Sequence, residues 1–251
     1  MSDSLLKRFR SKERTALARL LSYTARGENL ELVDKAASAP AKKSRVVAVT
    51  GSGGVGKSTL IGKLITLLRA QAKTVAVLAC DPQSPRTGGA LLGDRIRMPA
   101  LPADDGVFIR SLATAPGRGA VAEHLPVLIH LLEAFGFDVI LVETVGAGQS
   151  ETAVHELTDA TVLLLQPETG DELQWEKAGL LEVADVIVIH KADLPQAEQL
   201  EAQVRGTLAL SAASSVPVIR VSSKTGEGVE SLWTAIATLP LGRKERPAIS
   251  P

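Results

Sequence analysis

The chain has 251 residues, 45% of them hydrophobic, with 28 basic side chains against 28 acidic ones. That length fits one large domain, or a domain with a small helical appendage, and the apolar content allows a core without disulfide or metal staples. The balanced charge supplies no field to gather nucleic acid or an anionic membrane, and the single cysteine, Cys80, excludes an internal disulfide and a cysteine-based zinc site.

Aromatic residues are only 3% of the chain, so the core must be aliphatic, which suits a parallel sheet covered by helices. The start, Met-Ser-Asp-Ser-Leu-Leu-Lys-Arg, lacks the apolar stretch of a signal peptide, and no aliphatic run is long enough to span a bilayer. The expectation is a soluble cytoplasmic protein. Residues 4–36 place Leu5, Leu17, Leu20, Leu21, Leu30 and Leu32 at helical spacing among Arg, Lys and Glu, which predicts one or two amphipathic helices packed on the main domain. Residues 37–44 read as a linker. Beyond it, aliphatic strands are predicted at 45–50, 74–80, 107–110, 138–143, 160–165, 185–190 and 217–221. Helices are predicted at 57–72, 119–136, 171–182, 196–213 and 228–238, and the polar tail after Pro240 as frayed. Strands that alternate with helices imply βαβ units and a mainly parallel sheet.

The strand Arg45-Val-Val-Ala-Val-Thr50 runs straight into Gly51-Ser-Gly-Gly-Val-Gly-Lys-Ser58, and Leu60, Ile61, Leu64, Ile65, Leu67 and Leu68 follow at helical spacing. A strand, a GxxxxGKS loop and a helix in that order form a phosphate cradle, in which inward-facing N–H groups and a helix N-terminus attract an anion. Gly53, Gly54, Val55, Gly56, Lys57, Ser58 and Thr59 are the expected nucleotide contacts, with Lys57 on the β- and γ-phosphates and Ser58 on Mg²⁺. ParA/MinD-like ATPases carry a further lysine near the start of this loop, where this chain has Ser52.

Three acids sit at or near strand ends beside the loop. Asp81 follows Val75-Ala-Val-Leu-Ala-Cys80, Glu143 follows Asp138-Val-Ile-Leu-Val142, and Asp94 lies in a Gly-Asp-Arg turn. Ligands bind outside the carboxyl ends of parallel strands, where such acids can hold Mg²⁺ or orient a hydrolytic water. A helix N-cap is the competing assignment for Asp81 or Asp94 alone. Glu143-Thr-Val-Gly146 is placed like the Asp-x-x-Gly that senses a γ-phosphate in GTPases. Cys80 reads as buried packing, and His124, His130 and His155 as packing or surface residues without metal-ligand grouping.

Val186-Ile-Val-Ile-His190-Lys191-Ala192-Asp193 has the form of a guanine-recognition element, with His190 where Asn is usual. Asp193 would accept from guanine N1–H and the 2-amino group, Lys191 would lie along the base, and Ser222-Ser223-Lys224 would contact O6 through the backbone. The competing assignment is a helix start capped by Asp193.

The runs Asp81 to Met98, Val107 to Arg110, Asp138 to Glu151 and Gly170 to Gln174 resemble the corresponding stretches of the MeaB/ArgK/MMAA family of P-loop GTPases. The resemblance extends from residue 45 to about 235. It implies a SIMIBI-type α/β fold, a mainly parallel sheet sandwiched by helices with a short N-terminal helical extension. The expected division is 1–40 for the extension, 41–240 for the GTPase domain and 241–251 for a tail. It implies GTP and GDP with Mg²⁺ as ligands, and Ser58, Asp81, Asp94 and Glu143 as metal-binding and sensing groups. Gly146 to Glu151, including Gln149, would form one switch. Residues 168–180, with Asp171, Glu172, Gln174 and Lys177, would form another at a partner interface. The implied partner is an adenosylcobalamin-dependent acyl-CoA mutase of methylmalonyl-, isobutyryl- or 2-hydroxyisobutyryl-CoA type, whose cofactor loading and rescue the GTPase would gate. Family members continue into a C-terminal helical arm that builds a homodimer. This chain stops near 251, so the expectation is dimerisation by another route, or action as a monomer or within a mutase complex.

Three other functions compete. A nickel-enzyme metallochaperone GTPase would carry His/Cys clusters. A P-loop small-molecule kinase would need an acceptor-activating base, and a pure binding module would never hydrolyse.

Overall fold

A computed structural model describes residues 2–38, 43–82, 104–114, 120–144, 150–167, 180–210 and 215–241. Three helices come first: α1 (Ser2–Arg10), α2 (Arg14–Arg26) and α3 (Leu30–Ala37). The sequence reading of one or two helices is corrected by the breaks between them. Lys12, Gly27 and Asn29 take positive φ, at 63°, 66° and 51°, which no α-helix can carry through. The predicted linker is shorter than read, because Ala37 ends α3; its residues 39–42 lie outside the described residues.

The remaining elements alternate strand and helix among the described residues, except that the third strand follows the second directly. They are β1 (Arg45–Gly51), α4 (Lys57–Ala70), β2 (Val75–Pro82), β3 (Val107–Thr114), α5 (Ala120–Phe135), β4 (Val139–Glu143), α6 (Ser150–Leu157), β5 (Ala160–Leu165), α7 (Leu180–Val183), β6 (Val186–His190), α8 (Ala197–Ala209), β7 (Val218–Val221) and α9 (Val229–Thr238). The seven strands form one parallel sheet in the order β3-β2-β4-β1-β5-β6-β7. Each predicted strand is present within two residues of its expected start; β3 runs on to Thr114. Of the helix predicted at 171–182 only residues 180–182 fall among the described residues, within the short helix Leu180–Val183.

Period-two alternation sends successive strand residues to opposite faces. Val46, Ala48, Ala76, Leu78, Ile140 and Val142 pack against α5, α6 and the three N-terminal helices, in one cluster that also holds Phe9, Leu17, Leu20 and Leu21. Val47, Val49, Val77, Leu141, Val162 and Val188 pack against Leu60, Ile61, Leu64 of α4 and Leu232, Trp233, Ile236 of α9. At the far edge Leu163, Leu165, Ile187 and Ile189 cover Val204 and Leu208 of α8. Both faces of β1 are therefore buried, and its carboxyl end opens at the middle of the sheet between β4 and β5.

The two ends of the sheet use their acids differently. At the amino edge, Asp138 accepts the Thr74 N–H at 2.8 Å, Asp159 the Val46 N–H at 2.8 Å, and Asp185 the Thr161 N–H at 2.9 Å. Each ties a strand start to its neighbour. Asp81, Glu143 and Asp193 lie on or just beyond the opposite, carboxyl edge.

Candidate nucleotide site

The phosphate loop turns out of β1 at Gly51, whose φ is 140° and where a Cβ would lie 2.5 Å from the Leu164 carbonyl oxygen. No side chain fits there. Val55 anchors the loop from below, fully buried in the core with Leu60 and Ile61. Gly56, at φ 100°, starts α4. Lys57 folds back over the loop, and its Nζ donates to the carbonyls of Gly51 at 2.8 Å and Ser52 at 3.0 Å. The cation is thus held above the loop by the carbonyls that lead into it.

Ser58 follows on the first turn of α4, and its hydroxyl donates to Glu143 Oε1 at 2.7 Å. Glu143 is buried at the end of β4, in register with Val49 of β1 and Ala79 of β2. Asp81 stands two positions beyond Ala79 on β2, on the strand next to Glu143. Thr144 continues the join: its N–H donates to the Val49 carbonyl at 3.1 Å and its hydroxyl to Thr50 Oγ1 at 3.0 Å. Thr50 and Thr144 are the residues that sequence reasoning passed over. Their signal was position alone, one at the end of β1 and one directly after Glu143.

Asp94, Gly146, Gln149, Asp171, Glu172, Gln174 and Lys177, all named as switch or site candidates, lie outside the described residues. The tail 242–251 does too.

The base-recognition candidates gather at the ends of β6 and β7. Lys191 takes φ 56°, a left-handed conformation uncommon for a residue with a β-carbon. Ala192 N–H donates to the Val221 carbonyl at 3.2 Å, which stitches the turn after β6 to β7. Asp193 does not cap a helix. The N-cap of α8 is Gln196, and Asp193 Oδ1 instead accepts the Ser222 hydroxyl at 2.7 Å, with Lys224 Nζ 3.8 Å from Oδ2. That hydroxyl, the aspartate's own backbone N–H and Lys224 hold its carboxyl below the ordinary range. Ser222 is fully buried; its carbonyl accepts the Gly226 N–H at 2.8 Å, and its Oγ the Thr225 N–H at 3.3 Å, which orders the loop.

His190 is 4% exposed and sits between the two loops, with Nδ1 2.7 Å from the Val55 carbonyl oxygen and Nε2 2.8 Å from Ser223 Oγ. Burial, the largest influence, pushes its pKa below the ordinary histidine value. The other histidines play packing parts where they are described: His155 Nδ1 lies 2.9 Å from Thr161 Oγ1, and His130 Nδ1 3.3 Å from Glu133. Cys80 is buried.

Ser58 and Glu143 suit Mg²⁺, which prefers hard oxygen ligands and takes few from protein, the rest coming from phosphate and water. Among the described residues no group of three or more His, Cys, Asp or Glu could hold a metal ion, and no helix is long and apolar enough to cross a membrane.

The profile of the family described as methylmalonyl Co-A mutase-associated GTPase MeaB matches residues 17–240. This chain belongs to the MeaB family of GTPases. A putative GTPase of Pyrococcus horikoshii is 40% identical over 243 residues, 93% of this chain and 76% of that protein. The mitochondrial methylmalonic aciduria type A homolog of Mus musculus is 42% identical over 194 residues, 74% of this chain and 47% of that protein. Among solved structures, a LAO/AO transport system kinase aligns with TM-score 0.73 and 27% identity, over 94% of this chain and 74% of that one. The MeaB match begins within α2, so part of the N-terminal helical layer falls inside it.

Proposed function

We propose that this MeaB-family GTPase binds GTP along the carboxyl edge of its sheet and uses slow hydrolysis to switch an adenosylcobalamin-dependent acyl-CoA mutase between cofactor-loading states. One observation carries the reading. A buried Ser58–Glu143 pair at the end of β4, the phosphate loop with its lysine after β1 and an Asp193 oriented by Ser222 after β6 lie along one edge in that order, the order that metal, triphosphate and guanine require.

In this reading Lys57 exchanges its two carbonyl partners for phosphate oxygens, a stronger charge-assisted pairing. Ser58 and Glu143, with Asp81 on the neighbouring strand, would hold Mg²⁺, which when bound neutralises phosphate charge. Asp193 accepts from N1–H and the 2-amino group, donors that adenine does not offer at those positions, so its geometry selects guanine. Glu143 also leads through Thr144 toward Gly146, which links events at the γ-phosphate to the segment expected to switch.

The partner is an acyl-CoA mutase of the methylmalonyl-, isobutyryl- or 2-hydroxyisobutyryl-CoA type. The family description and the methylmalonic aciduria type A relative support that class. GTP turnover measured with and without candidate mutases is the test, paired with co-purification under GTP and GDP. Turnover that rises with one mutase, and retention that differs between the nucleotides, is the expected result. No turnover in either case would sink the enzymatic part of the reading, and nucleotide-independent retention the switch.

A further inference from the structure

The position usually held by Asn in a guanine-recognition element is here His190, and its ring chemistry is fully committed. A carbonyl oxygen only accepts, so the 2.7 Å contact with Val55 requires the proton on Nδ1. In the neutral imidazole Nε2 is then an acceptor, and the Ser223 hydroxyl, 2.8 Å away, donates to it. The depressed pKa agrees with that neutral form. The ring is also wedged against Gly56, where a Cβ would lie 2.4 Å from Cε1 and 2.7 Å from Nδ1. Phosphate loop on one side and base loop on the other leave the ring no second N–H.

Guanine offers two acceptors on its outer edge, O6 and N7, and reading N7 takes a donor. We propose that His190 is a positioning residue that couples the phosphate loop to the base loop through Val55 and Ser223 and leaves guanine N7 unread. Discrimination then falls on Asp193 and the Ser222–Lys224 loop. The inference rests on the guanine reading above and deepens it. It also accounts for a serine at 223: the longer imidazole reaches across to a hydroxyl, and the pair closes the span between β6 and the loop after β7.

The test uses the full chain and three nucleotides with Mg²⁺: GTP, ATP and 7-deaza-GTP, which lacks only the N7 acceptor. A lost hydrogen bond is worth roughly 3- to 10-fold in affinity. The expected result is selection of GTP over ATP with 7-deaza-GTP bound as tightly as GTP, to within about 2-fold. Preserved GTP-over-ATP selection with 7-deaza-GTP weaker by about 3-fold or more would overturn the inference and leave the guanine reading standing. Equal binding of GTP and ATP would overturn the guanine reading, and this inference with it. His190→Phe keeps a ring and removes both nitrogens, so it should weaken GTP and 7-deaza-GTP by the same factor; a loss for GTP alone would show that the ring touches N7. Nitrogen-15 shifts of the His190 ring give a reading that needs no variant. The Nδ1–H tautomer is expected near neutral pH, and the Nε2–H tautomer would overturn the assignment.

Discussion

The Ser58 hydroxyl donates to Glu143 Oε1 at 2.7 Å, and this bond joins the head of α4 to the end of β4. Both partners are buried, so the carboxylate of β4 meets the first turn of the helix that follows the phosphate loop. Glu143→Gln keeps the shape and a hydrogen-bonding group but removes the charge. GTP binding should persist, while its dependence on Mg²⁺ weakens and hydrolysis falls by ~100-fold or more. Single-turnover hydrolysis across a Mg²⁺ titration checks this; an unchanged rate would remove Glu143 from the metal site.

Lys57 is held over the loop by two carbonyls, poised for anionic oxygen. Lys57→Ala should lower affinity for GTP by ~100-fold or more by calorimetry, because the phosphates lose their main cation. Unchanged affinity would place the phosphates elsewhere.

Asp193 depends on Ser222 for its orientation. Ser222→Ala should cost about 1 kcal/mol of GTP affinity, the worth of one hydrogen bond, with little effect on ATP. Asp193→Asn should weaken GTP and favour xanthosine triphosphate, whose edge presents an acceptor where guanine has its amino donor. Competition binding of the two nucleotides decides between this outcome and an Asp193 that never meets the base.

Gly56 meets two constraints at once, a φ of 100° and the His190 ring in the space a Cβ would fill. Gly56→Ala should destabilise the fold by at least ~1–3 kcal/mol in denaturant unfolding. Pairing it with His190→Ala should restore part of that loss. Full additivity of the two changes would show that the ring and the glycine do not compete for the same space.

Burial holds His190 below the ordinary value of 6.5; Lys191 acts in the same direction, and the Val55 bond and Asp193 oppose it. The unfolded chain takes up a proton near 6.5 where the folded chain does not. The neutral ring's contribution to stability is thus complete above that value. It declines as pH falls through the window down to the lowered folded pKa, and levels off below it. Unfolding followed from about pH 7.5 to about pH 5 should show an acid-side loss that His190→Phe reduces. An identical profile in the variant would mean that the ring titrates as it does in the unfolded chain.

Much of this protein was legible from spacing alone. The aliphatic runs around Val47, Val77, Leu141, Val162 and Val188 are strands because each must be apolar on two faces, and GxxxxGKS between strand and helix permits few other structures. Local chemistry therefore determined the parallel α/β fold and the place of Lys57 and Ser58. It placed Glu143 after its strand but could not say what each acid touches. Asp138, Asp159, Asp185 and Glu143 all flank aliphatic strands, yet the first three brace the amino edge and only Glu143 faces Ser58. Nor could it reveal that His190 reaches Val55, 135 residues earlier, and Ser223, 33 residues later. Which backbone group each acid braces, and which distant groups share an imidazole, are settled by strand order and register, so only the tertiary structure decided them.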